Sequence, residues 1–141
     1  MFELQILPAS PRQNESLFFV PVDFIEAHWP ACHQYIDAWR GGGLRHWFSY
    51  DQNDKATHFL AGDAGFNEGA FSFGGGRHRT RWLIQLGLPE VPVALSDYCV
   101  QQISGLTALT RAEYGVLRLP LPVPNWKDNP ARTNEPKDWP R

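Results

Sequence analysis

The stretch FGGGRHRTRW, residues 73–82, packs three glycines, three arginines and a histidine into ten positions. AFSF, residues 70–73, precedes the glycines and reads as a short strand. TRWLIQLG, residues 80–87, follows, with Trp82, Leu83 and Leu86 on one helical face and Gly87 as a stop. Strand, glycine turn and helix start in this order predict a phosphate site. The first N–H groups of a helix lack internal partners and carry partial positive charge. Glycines let an anion approach the backbone, and basic side chains add charge-assisted hydrogen bonds. The candidate phosphate contacts are Gly75, Gly76, Arg77, His78, Arg79, Thr80 and Arg81. A solvated basic loop before a helix gives the same pattern. Arginines at 77, 79 and 81 oppose the macrodipole of a helix start, so the cluster calls for an answering anion or carboxylate. The spacing matches neither the G-x-x-x-x-G-K-[ST] phosphate loop nor a dinucleotide G-x-G-x-x-G turn.

The rest of the chain sets the frame. Its 141 residues suit one domain with its own core, and 43% apolar against 20% charged residues is a globular composition. The net charge of −2 means that any nucleic-acid contact must come from a local patch. Ten of the 13 cationic residues are Arg, the side chain suited to bidentate phosphate or carboxylate contacts. Cys32 and Cys99 are far apart and form no C-x-x-C, which excludes a disulfide framework. The N-terminus reads as having no signal peptide, and no stretch reaches membrane-spanning length. The expectation is a cytoplasmic protein without membrane insertion.

ELQIL at 3–7 and SLFFVPV at 16–22 read as strands, the second closed by Pro21. Asp23, three residues before Glu26, resembles a capping-box helix start. Past Pro30, the apolar stripe Cys32, Tyr35, Ile36 and Trp39 predicts a second helix, ended by Gly41–Gly43. HWFSY at 46–50 and THFLA at 57–61 flank a polar turn and predict a hairpin. GDAGFNEG, 62–69, reads as a loop, VPVAL, 91–95, as a strand, and Ser96 or Asp97 as the cap of a short helix. Six of the 12 prolines lie in residues 116–141. The expected organisation is a domain over residues 1–118 and a Pro- and Trp-containing arm over 119–141, with Trp126 and Trp139 available for docking.

Acid, base or metal chemistry needs further groups. Asp63 and Glu68, in the reading just before the motif strand, are the candidate ligands of a divalent cation. Solvated loop carboxylates, or partners for the arginines, are the competing reading. His78 has the chemistry of a base near neutral pH, although phosphate contact ranks above it. His28, His33 and Cys32 fit no zinc spacing. Trp29, Trp39, Trp47 and Trp82 read as core.

GGGRHRTRWLIQLGLPEVPVAL resembles the G-x-H-R segment of the ParB/sulfiredoxin superfamily. Gly76, Arg77, His78 and Arg79 match the motif, Trp82–Gly87 its helix, and Val91, Pro92 and Val93 the following strand. FFVPVDFI is similar to the superfamily's opening strand and turn, and the likeness spans roughly residues 16–103. It implies an α+β, ParB/sulfiredoxin-like single domain: one small mixed sheet flanked by helices, with the Pro-rich C-terminal arm. It also implies ATP or another nucleotide at the turn. Arg77 stands where sulfiredoxins carry a reactive cysteine, so sulfinic-acid repair is not expected. Little chain follows residue 105 for the appended domains of chromosome-partitioning members. What remains looks most like plasmid fertility inhibition factors of the oncogenic-suppression type. That likeness implies ATP hydrolysis, DNA binding or cleavage, and a block on conjugative transfer at the relaxosome or the type IV secretion coupling protein. The catalytic candidates are then Arg79, His78 and Glu68, with Mg2+ at Asp63 and Glu68. A non-catalytic docking protein and a small-molecule phosphotransferase are the alternatives.

Overall fold

Alternation in FELQILP builds the first strand: Leu4 and Ile6 turn inward while Glu3, Gln5 and Leu7 stay exposed. In the computed structural model, which describes residues 2–113 and 115–120, this strand is β1, Phe2–Pro8. β9, Val116–Leu119, pairs antiparallel to it on one side. β4, Ala56–Ala61, pairs parallel to it on the other and continues into β3, Phe48–Tyr50, through the expected hairpin. The four-stranded sheet thus runs β3-β4-β1-β9.

The second sheet has five strands. β7, Glu90–Ser96, is buried from Val91 to Leu95, as a strand flanked on both sides should be. β2, Glu15–Pro21, pairs antiparallel with it, and β8, Thr110–Arg111, covers the far edge of β2. β5, Asp63–Asn67, runs parallel to β7, and β6, Ala70–Gly75, closes a hairpin on β5. The order is β6-β5-β7-β2-β8. Both sheets are mixed, so two replace the one small sheet expected. The reason is β5: residues 62–69 read as a loop because of their glycines, yet Ala64 and Phe66 alternate inward, and the strand pairs with β6 along its length and with β7 at Asp63 and Ala64.

Three α-helices complete the described residues: α1, Val22–His28, α2, Arg77–Gln85, and α3, Asp97–Ser104. Ser96 caps α3, its hydroxyl accepting from the Cys99 N–H at 3.2 Å. α1 starts one residue before Asp23 and has no side-chain cap, so the capping box does not form. The second helix expected past Pro30 is absent as well. A 3-10 turn, Trp29–Ala31, leads into an irregular strap over residues 32–43. The chain is an α+β domain with one continuous core. Trp29, Trp39, Trp47 and Trp82 lie inside it: Trp47 makes ring contacts with Trp39 and Trp82, and Trp29 packs edge-on against Tyr35 and Phe73. Cys99 is buried, Cys32 is half-buried and both are free thiols. β9 carries pairing to Leu119, one residue past the boundary expected at 118. The remainder of the arm, with Trp126 and Trp139, lies outside the described residues. Among the described residues no helix is long and apolar enough to cross a membrane.

Candidate functional site

The glycines do structural work before any ligand arrives. Gly76 is the N-cap of α2 at φ +95°, the left-handed region that L side chains avoid. Its backbone packs on Gly62, at the corner between β4 and β5. A Cβ on Gly76 would sit 2.6 Å from the Gly62 Cα. Gly62 is itself held by β7, its carbonyl accepting from the Ala94 N–H at 2.9 Å. Asp63 pairs with Gly75, and its carboxylate lies over Gly74 where a larger residue's Cβ would stand. The turn is therefore clamped to the β4–β5 corner by bare backbone.

α2 then points its uncapped N-terminus past these glycines. A pocket of ≈ 320 Å³ opens there, walled by Gly74–Gly76, Arg77, His78 and Arg79, with Gln34, Trp47 and Phe73 around them. Arg79 is half-buried: Nη1 donates to the Leu60 carbonyl at 2.8 Å, while Nε is buried without a hydrogen-bond partner. Burial lowers its pKa from the ordinary guanidinium value, and the Asp63 charge pulls it back. The side chain stays cationic. His78 is exposed, and desolvation followed by the neighbouring Arg77 charge lowers its pKa below 6.5. Arg77 Nη1 donates to the Gln34 carbonyl at 3.0 Å. Among the described residues no carboxylate forms an ion pair with Arg77, His78 or Arg79.

Two expected phosphate contacts face elsewhere. Thr80 is buried, and its hydroxyl donates to the Gly76 carbonyl at 2.9 Å, backing up the first helical bond. Arg81 is buried with both terminal nitrogens on Glu26, at 2.7 and 3.0 Å, and Nε on the Ile36 carbonyl at 2.9 Å. Its guanidinium lies 4.6 Å from the Trp29 ring centroid. It answers the core's demand for a partner, because a buried charge persists only when paired. Position along the helix marks the division: Arg77, His78 and Arg79, in the first turn, line the pocket, while Thr80 and Arg81, further along, are buried.

Arg77, Arg81 and Gln85 stand one turn apart and grip the strap in sequence, at Gln34, Ile36 and Trp39. Gln85 Oε1 accepts from the Trp39 N–H, and Nε2 donates to the Trp39 carbonyl at 3.5 Å. These side chains supply backbone partners that a helix would have supplied, so the stripe packs on the core without being helical, Trp39 buried and Cys32, Tyr35 and Ile36 partly so.

The expected metal pair is not assembled. Asp63 lies beside the turn, but Glu68 is exposed in the β5–β6 turn, just past the end of a strand that runs about 14 Å from Asp63 to Asn67 at 3.4 Å per residue. Glu68, expected as a catalytic and metal candidate, thus stands at the other end of β5 from Asp63 and the turn. Among the described residues no group of three or more His, Cys, Asp or Glu side chains is placed to hold a metal ion. Gln34 and Phe73 as pocket residues, and the clamping Gly62, escaped the sequence reading, and Trp47, expected in the core, also lines the pocket. Gly62 alone had a local signal, a glycine at a strand junction. No family model matches the chain, and no curated protein or solved structure matches it.

Proposed function

We propose that the chain binds the phosphates of a nucleotide, ATP or another, or of DNA, at the 74–79 turn, and that this binding serves a block on conjugative plasmid transfer. One observation carries the reading. Glycine backbone, an uncapped helix start and three basic side chains converge on one pocket, and no carboxylate ion-pairs with any of the three among the described residues. A partly desolvated Arg79 guanidinium at the pocket wall is costly unless an anion answers it. Phosphate oxygens are acceptors of the right charge.

Hydrolysis of ATP or cleavage of DNA is the finer part of the proposal, and the resemblance to fertility inhibition factors supplies it. Arg79 would stabilise charge developing on phosphate. His78, neutral at pH 7, would take or give the proton. Asp63 is the carboxylate at the turn that would hold Mg2+, sharing it with phosphate oxygens as magnesium sites commonly do. The ion would supply charge neutralisation there.

The test is binding and turnover of labelled ATP and DNA, with and without Mg2+, by wild type and by the double variant His78→Ala, Arg79→Ala. The variant should lose at least about tenfold in affinity, and unchanged activity refutes the site. A second reading is docking on the relaxosome or the coupling protein without catalysis. It is favoured by an apolar groove of ≈ 620 Å³ between the end of α2 and β9, lined by Phe19, Leu86, Leu88, Pro89 and Pro120. In a mating assay the double variant abolishes inhibition under the first reading and leaves it intact under the second.

A further inference from the structure

The strap that α2 grips is also the wall of a second pocket. Beside the phosphate pocket lies a cavity of ≈ 530 Å³ lined by Tyr35, Ile36, Asp37 and Arg40, and His78 borders both. The two differ in chemistry. The first offers glycine backbone and cations. The second offers apolar surface from Tyr35 and Ile36, one carboxylate and one guanidinium.

Two features mark the second pocket as a place for the rest of a ligand. The first is preorganisation. Arg81, 4% exposed, fixes the Ile36 carbonyl while held bidentately by Glu26, and Gln85 holds both backbone groups of Trp39. The strap therefore stands in place before binding, which lowers the ordering cost. The second is spare polar capacity. Asp37 and Arg40 meet only in a 3.4 Å contact with side chains 71% and 70% exposed, a pair worth little by itself and easily remade around a ligand. Each pocket has a volume within the range of about 300–1,000 Å³ found for small-molecule sites. An inorganic anion would have no use for the apolar surface of the second.

We infer that residues 35–40 form the subsite for the organic part of a phosphate ester whose phosphates occupy the glycine turn. The preferred ligand is then a mononucleotide-sized ester rather than inorganic polyphosphate or a continuous DNA strand. Asp37 accepts from hydroxyl or amino groups, Arg40 donates to ring or carbonyl acceptors, and Tyr35 and Ile36 cover the apolar face. The inference rests on the phosphate reading of the turn.

Calorimetric titration of the full chain with sodium tripolyphosphate, ATP, CTP and a short single-stranded oligonucleotide separates the two. At least one nucleotide should bind about tenfold or more tighter than tripolyphosphate. Asp37→Ala with Arg40→Ala should erase that margin while leaving tripolyphosphate affinity within about twofold. Both residues are exposed, and a thermal melt checks that the variant is folded. Equal binding of nucleotide and tripolyphosphate, a margin that survives the double variant, or tightest binding of the oligonucleotide overturns the subsite and leaves the turn reading standing. Binding of none of the four ligands overturns both.

Discussion

Gly62→Ala is the most informative single change, because Gly62 touches the turn without belonging to the pocket lining. A Cβ there falls within contact distance of the Gly75 carbonyl oxygen and 2.8 Å from the Gly76 Cα. Carbon atoms pack best at about 3.5–4.0 Å, so the shortfall is about 1 Å. Both neighbours are backbone, and neither can swing aside as a side chain would. The β4–β5 corner, anchored by the Ala94 N–H, and the turn must separate. Overpacking of this kind costs about 1–3 kcal/mol. Taking about 2 kcal/mol, the folded-to-unfolded ratio falls about thirtyfold, and Tm drops by about 6–10 °C for a domain of this size. Displacing the turn should also weaken tripolyphosphate binding by about tenfold, since site geometry is sensitive at the 1 Å level. Gly65→Ala, whose Cβ meets only the Ser72 hydroxyl at 3.4 Å, is the control and should stay within about 0.5 kcal/mol. Calorimetric melting and titration of both proteins provide the assay. A Gly62→Ala protein with wild-type Tm and wild-type affinity would refute the clamp.

Two further outcomes follow from the charges. The pKa of His78 lies below 6.5 in the folded protein, so its neutral form is favoured by folding. Stability from this group is full above pH 6.5 and declines as pH falls through the lowered folded value, where the unfolded chain has already taken its proton. Anion affinity runs the other way: as pH falls through the lowered pKa the imidazolium adds positive charge, so tripolyphosphate binding tightens with proton uptake, and His78→Gln reduces both trends in titrations across pH 5–8. Arg81→Met should cost about 3 kcal/mol in chemical denaturation, at the low end for a broken buried pair because Glu26 is 38% exposed and partly rehydrates; an unchanged denaturation midpoint would exclude the role given to Arg81.

Elements set by local rules were legible in the sequence. The alternation of β1, the apolar run of β7, the β3–β4 hairpin, the Ser96 cap and the α2 stripe each follow from residues within one turn or strand. What escaped was decided across distance. Glu26 neutralises Arg81 from 55 positions upstream, so a core arginine read as a ligand arginine. The strap kept helical spacing while its backbone was satisfied by side chains of α2, 43 to 46 positions away. Glu68 stood near the motif in sequence, but a hairpin carried it to the opposite end. Glycines hid β5, whose pairing on both edges comes from segments that the reading placed separately.

The spacing of Arg77, Arg81 and Gln85 on α2 has a consequence for how the gene can vary. One helix serves three directions at once: Trp82 and Leu83 face the core, the three polar side chains hold the strap, and the first turn faces the pocket. Substitutions test these roles one by one. A single inserted or deleted codon between 77 and 85 rotates everything beyond it by about 100° and breaks the register in which the three grip the strap. Length differences among natural versions of this chain should therefore gather in the turn at 51–55 or the glycines at 41–43, and spare the nine residues of α2.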